Sequence, residues 1–211
     1  MKNKNTMTKQ TVRGLLLIAC SAALGLAFTV AQPQATQPQA DRIVVPPVPT
    51  EIEVPVGFDV FLVGHGVGTQ NYICLPSLTG GVSFQLFTPE ATLFNDNKKQ
   101  LITHFFGPNP DEGGVIRVAW EDSRDSSTVW GEATHVATVT PGAIPWLRVD
   151  TRGTEPGPTG GDRLTKTRFI QRVNTVGGVA PATGCTVATD IGKKAFVPYK
   201  ADYFFYERDY R

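Results

Sequence analysis

Three histidines are the residues of this chain best suited to acid–base or metal chemistry, because imidazole titrates near neutrality and ligates metals as a neutral base. His65 stands among glycines in Gly64-His-Gly-Val-Gly68, His104 precedes Gly107-Pro108, and His135 lies in a run of β-forming residues. None has a His-x-His or His-x-x-x-His partner, so the sequence assigns no metal and no cofactor. An enzyme would need the fold to bring His104 together with carboxylates such as Glu90 and Asp125. Ser126 and Ser127 follow Asp125, but no G-x-S-x-G turn surrounds them to expose and activate a serine, and a polar hairpin loop is expected there. Arg124 in the midst of Glu121, Asp122 and Asp125 argues against a calcium loop. Gly64–Gly68 lacks the G-x-G-x-x-G spacing of a dinucleotide loop, and no helix follows to receive a pyrophosphate.

Aromatic and sulfur side chains carry more signal. Trp120, Trp130 and Trp146 fall in expected strands, and Tyr199, Tyr203, Phe204, Phe205 and Tyr206 cluster at the C-terminus. In a β-domain most of these rings fill a core, with Tyr203 and Phe205 on one face of the last strand and Phe204 and Tyr206 on the other. Rings with polar tips left facing a cleft would hold a sugar or another apolar ligand, which makes Trp120, Trp130, Trp146 and Tyr203 the candidate ligand-binding residues. Of three cysteines, Cys20 lies in the N-terminal segment, leaving Cys74 and Cys185 either as a disulfide or as two buried thiols. As a disulfide they would stabilise the fold by up to about 4–5 kcal/mol in the chain-entropy model.

The elements that position these residues read as strands. Behind residue 50, apolar and polar residues alternate in short runs separated by Gly, Pro, Asn and Asp, with no capped helical stripe. Expected strands are Asp59–Val63, Thr69–Cys74, Val82–Phe87, Gln100–Phe106, Val115–Glu121, Thr128–Val139, Trp146–Thr151, Leu164–Val176 and Tyr203–Tyr206. In Arg163–Thr175 the alternating positive charges suggest a surface strand, and the best place for a helical turn is Pro89–Phe94. The fold class is all-β, an antiparallel sandwich or closed barrel of about 8 to 10 strands with few or no helices. A single domain over residues 51–211 is of a size that buries a sufficient core without metal.

Ahead of it, residues 1–13 are basic and Gly14–Ala31 runs 18 positions without a charge, the order of a secretory signal peptide spanning residues 1–31. The alternatives are an uncleaved membrane anchor and a lipoprotein modified at Cys20, and all three place the domain outside the cytoplasm, in a periplasm or secreted. Residues 32–50, with their Gln-Pro-Gln-Ala repeat and Pro46, Pro47 and Pro49, read as an extended spacer, whose Ile43–Val45 run could add an edge strand. Lys2, Lys4, Lys9 and Arg13 all lie in the leader; without these four of the 20 basic residues, 16 face 19 acidic ones, a formal charge of −3. Such a surface lacks the cationic patch on which nucleic-acid binding depends, and contact with a membrane is expected only through the N-terminal segment.

Six phrases in order then carry a likeness: Gly68-Thr-Gln-Asn-Tyr-Ile-Cys74, Pro89-Glu-Ala-Thr-Leu93, His104-Phe-Phe-Gly-Pro108, Ile144-Pro-Trp-Leu147, Ile170-Gln-Arg172 with Gly177-Gly178, and Val197-Pro-Tyr-Lys-Ala-Asp-Tyr203. From about residue 57 to the C-terminus the chain resembles the domain of unknown function 3455 family, largely exported bacterial and fungal proteins. It departs from the family pattern at Asn109, followed by Pro110, where a tryptophan is usual, and at Asp125-Ser126-Ser127, where Asp-Gly-Ser is common. The resemblance implies no activity, and a malate dehydrogenase label carried by some fungal members finds no support in these residues. The expected function is therefore a non-enzymatic exported β-domain that binds a ligand or protein partner. An extracytoplasmic enzyme centred on His104 and a structural envelope component are the alternatives.

Overall fold

The computed structural model describes residues 43–210; the leader, Cys20 and the first part of the spacer lie outside them. Eight strands run in an unbroken antiparallel meander: β1 (Phe58–Pro76), β2 (Val82–Phe94), β3 (Gln100–Asn109), β4 (Val115–Asp122), β5 (Thr128–Ala137), β6 (Trp146–Glu155), β7 (Phe169–Gly177) and β8 (Lys194–Arg208). β8 returns to pair with β1, from Phe58 opposite Arg208 to Ile73 opposite Lys194, and the sheet closes into a barrel. Closure decides between the sandwich and the barrel and puts no strand at an outer edge, although β2 before Ala91 has no ladder to β3. The helical content of the described residues is three single 3-10 turns, Thr50–Ile52, Pro110–Glu112 and Ala188–Asp190.

Several elements differ from the sequence reading. The first two expected strands merge into β1, because Gly64–Gly68 is mid-strand and not a loop. Its glycines alternate on the inner face, where a β-carbon at Gly64 would press on Leu93, one at Gly66 on the Tyr203 ring and one at Gly68 on Ala91. Removing three side chains from one face lets the opposing rings approach the backbone. Pro89–Phe94 belongs to β2; β3 pairs with β2 only over Ala91–Phe94, so at Pro89 one side of the strand has no ladder for proline to break. The expected surface strand at Leu164–Val176 starts later, at Phe169, and its Arg172 shares a face with the buried Ile170.

The inward faces fill one half of the barrel. Leu62, Leu93, Ile102, Val129, Ile170 and Phe205 pack there, and Leu164 from the β6–β7 loop plugs that end. The plug is held by the β4–β5 turn: the Leu164 N–H donates to Ser127 Oγ at 3.0 Å, the Arg163 N–H to Asp125 Oδ2 at 3.1 Å, and the Arg163 guanidinium pairs with the buried Asp122 at 3.0 Å. Within that turn Ser126 takes φ +59°, a conformation that costs an L-residue about 1–2 kcal/mol. Glycine at this position would adopt the same φ without that cost. Ser126→Gly is expected to raise stability by about 0.5–1 kcal/mol after the added freedom of the unfolded chain is subtracted, measured by urea denaturation; a loss would refute the strain.

The outer face of β6, β7 and β8 is covered by the chain before β1. Ile43, Val45, Val48, Ile52 and Val54 pack against Trp146, Val173, Phe204 and Tyr206. Gln171 Nε2 donates to the Ile52 carbonyl at 2.7 Å and Arg148 to the Glu53 carbonyl at 2.8 Å, which fixes the segment without a ladder. Ile43–Val45 forms no strand, and the stretch from residue 43, expected as spacer, lies on the barrel as a strap.

Candidate functional site

The other half of the barrel is not filled. Above His104 (β3), Trp120 (β4) and Tyr203 (β8) lies a cavity of about 260 Å³, whose wall includes Gln70, Tyr72, Phe106, Leu147 and Arg172. His104 stacks on Trp120 with ring centroids 4.5 Å apart and planes 11° from parallel, and Tyr203 meets Trp120 edge-on at 6.0 Å. These three rings form the floor, resting on the packed core; Phe205 lies 6.3 Å from Trp120 beneath them. Room for the cavity comes from the strands themselves, since β2 and β3 stop pairing at Ala91 and His104, and beyond that point Thr88 Oγ1 accepts the Phe106 N–H at 3.4 Å.

The rim is built from two loops. The β5–β6 loop folds across the open end, where the Thr175 hydroxyl donates to the Ile144 carbonyl at 2.6 Å and the Ile144 N–H to the Gly177 carbonyl at 2.9 Å. The β7–β8 loop is anchored by the Tyr72 hydroxyl on the Gly178 carbonyl at 2.6 Å and by the Cys74–Cys185 disulfide, whose Cα atoms are 5.5 Å apart. The pairing expected from the sequence is thus present, and it ties the far end of β1 to the mouth of the cavity.

The polar chemistry of the cavity follows from its burial. His104 is 2% exposed, and its Nδ1 lies 2.9 Å from the Ala119 carbonyl, which can only accept, so Nδ1 carries the proton and Nε2 is left as an acceptor. Burial pushes the His104 pKa down to about 3 against the opposing effect of the Ala119 bond, and nearby Arg172 lowers it further, so the ring is neutral at physiological pH. Burial also raises the Tyr72 and Tyr203 hydroxyls, and the Tyr203 and Tyr199 oxygens pair at 2.9 Å. Arg172 donates through Nε and Nη2 to the Pro145 carbonyl, at 3.2 and 2.8 Å. Trp120 Nε1 is buried without a hydrogen-bond partner, and Gln70 Nε2 is buried without a well-formed one, its amide lying against the Tyr199 hydroxyl.

Of the candidates from sequence, the fold brings together His104, Trp120 and Tyr203 and separates the rest. Trp130, opposite Ala119 on the outer face, has its Nε1 beside Gly107, and Trp146 is under the strap. Asp125 works at the plugged end, holding the β6–β7 loop, and Glu90 is exposed on the outside of β2; neither lines the cavity. The tryptophan replacement Asn109 is fully buried, its Nδ2 donating to Glu112 at 2.7 Å and its Oδ1 accepting the Asp111 N–H at 3.1 Å. Arg172 and Gln70 were missed as site residues. The signal for Arg172 was its period-two relation to Ile170, a charge on an apolar face.

His65 takes part in a different cluster. Its Nδ1 lies 2.7 Å from Asp202 and its Nε2 2.9 Å from Asp96, so both ring nitrogens must be protonated to satisfy both contacts. Partial burial opposes the charge, but the two carboxylates outweigh it and the pKa is raised. A raised folded pKa stabilises fully below the unfolded value near 6.5, and the gain is lost as pH rises through the folded pKa. His65→Gln is expected to destabilise at pH 5.5 by less than about 1 kcal/mol, given its solvent exposure, and to be near neutral at pH 9. Denaturation at the two pH values checks this, and a pH-independent loss would contradict it.

Among the described residues no cluster of three His, Cys, Asp or Glu is placed to hold a metal, and no helix is long and apolar enough to cross a membrane. A family model described as "Protein of unknown function (DUF3455)" matches residues 55–207, which covers the barrel from before β1 into β8. Neither a curated protein nor a solved structure matches.

Proposed function

We propose that this chain, which belongs to the DUF3455 family, is an exported binding protein whose barrel takes a small, largely apolar molecule into the cavity above His104, Trp120 and Tyr203. The observation that carries the reading is the cavity itself: one half of the barrel is packed solid, while the other is left open and lined by rings, with an unpaired donor at Trp120 and one without a well-formed bond at Gln70. A concave apolar site with few convergent polar groups is the usual form of a small-molecule site. Binding is favoured over catalysis because no acidic residue lines the cavity to orient or complement the neutral His104. Export is supported by the buried Cys74–Cys185 disulfide, which persists in oxidising compartments, together with the signal-like leader.

The test uses a neutral one-ring probe. Indole at 100 times its dissociation constant is expected to stabilise the protein by about 2.7 kcal/mol, seen as a higher melting temperature. Ala133→Trp, which fills the cavity from β5, is expected to abolish that shift. No shift with indole or other neutral one-ring probes, or an equal shift in the filled variant, would refute the reading.

A further inference from the structure

The unmet hydrogen-bonding capacity of the cavity is one-sided. Trp120, 1% exposed, holds Nε1 without an acceptor, and Gln70, 2% exposed, holds Nε2 against the Tyr199 hydroxyl without a well-formed bond. Arg172 commits Nε and Nη2 to a single carbonyl, Pro145 O, and bears on the Tyr203 hydroxyl, but makes no ion pair among the described residues, so its charge has no counter-ion. Its charge is the sole formal charge on the cavity lining, and it bears on Tyr72, His104 and Tyr203 around it. A guanidinium held by a backbone carbonyl and turned into a ring-lined space needs an anion to complete it, and its planar fork suits a carboxylate. His104 Nε2, left as an acceptor by the Nδ1 bond, belongs to the floor.

Size and shape narrow the rest of the ligand. A dry cavity of about 150 Å³ takes benzene, so one of about 260 Å³ takes a single ring with a short side arm. Five of its walls are rings, Tyr72, His104, Phe106, Trp120 and Tyr203, which prefer the edge of another aromatic ring to a saturated one. We infer that the cavity binds small aromatic monocarboxylates, with the ring on the His104, Trp120 and Tyr203 floor and the carboxylate on Arg172. This rests on the binding reading above and assigns its ligand class.

Calorimetric titration with trans-cinnamate, trans-cinnamamide and cyclohexanepropionate tests it, with indole as the neutral control. Cinnamate is expected to bind at least about tenfold more tightly than the amide, as a charge-assisted contact requires, and more tightly than the saturated acid. Arg172→Gln is expected to bring cinnamate down to the affinity of the amide, with a loss for cinnamate at least about tenfold greater than any loss for the amide. Equal affinity of acid and amide in the unaltered protein would overturn the proposal, and that comparison stands even if the variant does not fold. So would an acid preference that survives Arg172→Gln, or a saturated acid that binds as well as cinnamate. Binding of indole without cinnamate overturns the ligand class alone, whereas no binding of any probe overturns the binding reading beneath it.

Discussion

Reducing the Cys74–Cys185 disulfide is expected to lower the unfolding free energy by about 4–5 kcal/mol, the value for closing a loop of roughly a hundred residues in the unfolded chain. The two cysteines are separated by 111 positions, and both are buried. In a barrel of this size each kcal/mol moves the melting temperature by about 2–4 °C, so a fall of roughly 8–20 °C is expected. The effect on the cavity should go further than stability. Cys185 anchors the β7–β8 loop to the end of β1, where the Cys74 N–H also donates to the Lys193 carbonyl at 2.8 Å. With the bond gone, that rim loses its covalent tie, and indole should bind more weakly to the reduced protein. Calorimetry with and without reductant checks both effects, and protein recovered with its own leader should show no free thiol at these positions. A melting temperature unchanged by reduction would contradict the assignment.

Trp120→Ala is expected to cost about 3–5 kcal/mol, the range for deleting a large buried ring. Trp120 is 1% exposed and touches both halves of the barrel, with His104 and Tyr203 beside it on the floor and Phe205 beneath. Its removal joins the cavity to the space left behind and takes away the surface on which a ligand would rest. Trp120→Phe keeps part of the packing and drops the unpaired indole N–H, so its loss should be clearly smaller. Urea denaturation of the two variants measures the difference. A loss below about 1 kcal/mol for the alanine variant would mean that Trp120 is not the packed floor described here.

The strands were legible in the sequence because alternation is a local property, and the pairing of Cys74 with Cys185 because only two cysteines remain beyond the leader. Barrel closure was not, since it depends on β1 meeting β8 across more than a hundred residues. Gly64–Gly68 misled because glycine reads as a turn, whereas here its missing side chains admit Leu93, Tyr203 and Ala91. The floor was half legible: aromatic identity pointed to Trp120 and Tyr203, but no pattern separated Trp120 from Trp130 and Trp146, whose difference is the face each presents. Asp125 resembled a catalytic carboxylate because chemistry and loop clamping use the same residue type. Arg172 was hidden by its neighbours Arg163 and Arg168, with which it reads as a charged surface run.

The three tryptophans supply the most direct test of the cavity as a binding site. Each contributes one indole N–H signal to a spectrum of nitrogen-15-labelled protein. Trp120 Nε1 lies at the cavity floor, Trp130 beside Gly107 on the outer face, and Trp146 under the strap. Titration with unlabelled indole is expected to move the Trp120 signal most, with Trp130 and Trp146 nearly still. Three unmoved signals, or a shift led by Trp146 or Trp130, would contradict the assignment of the site.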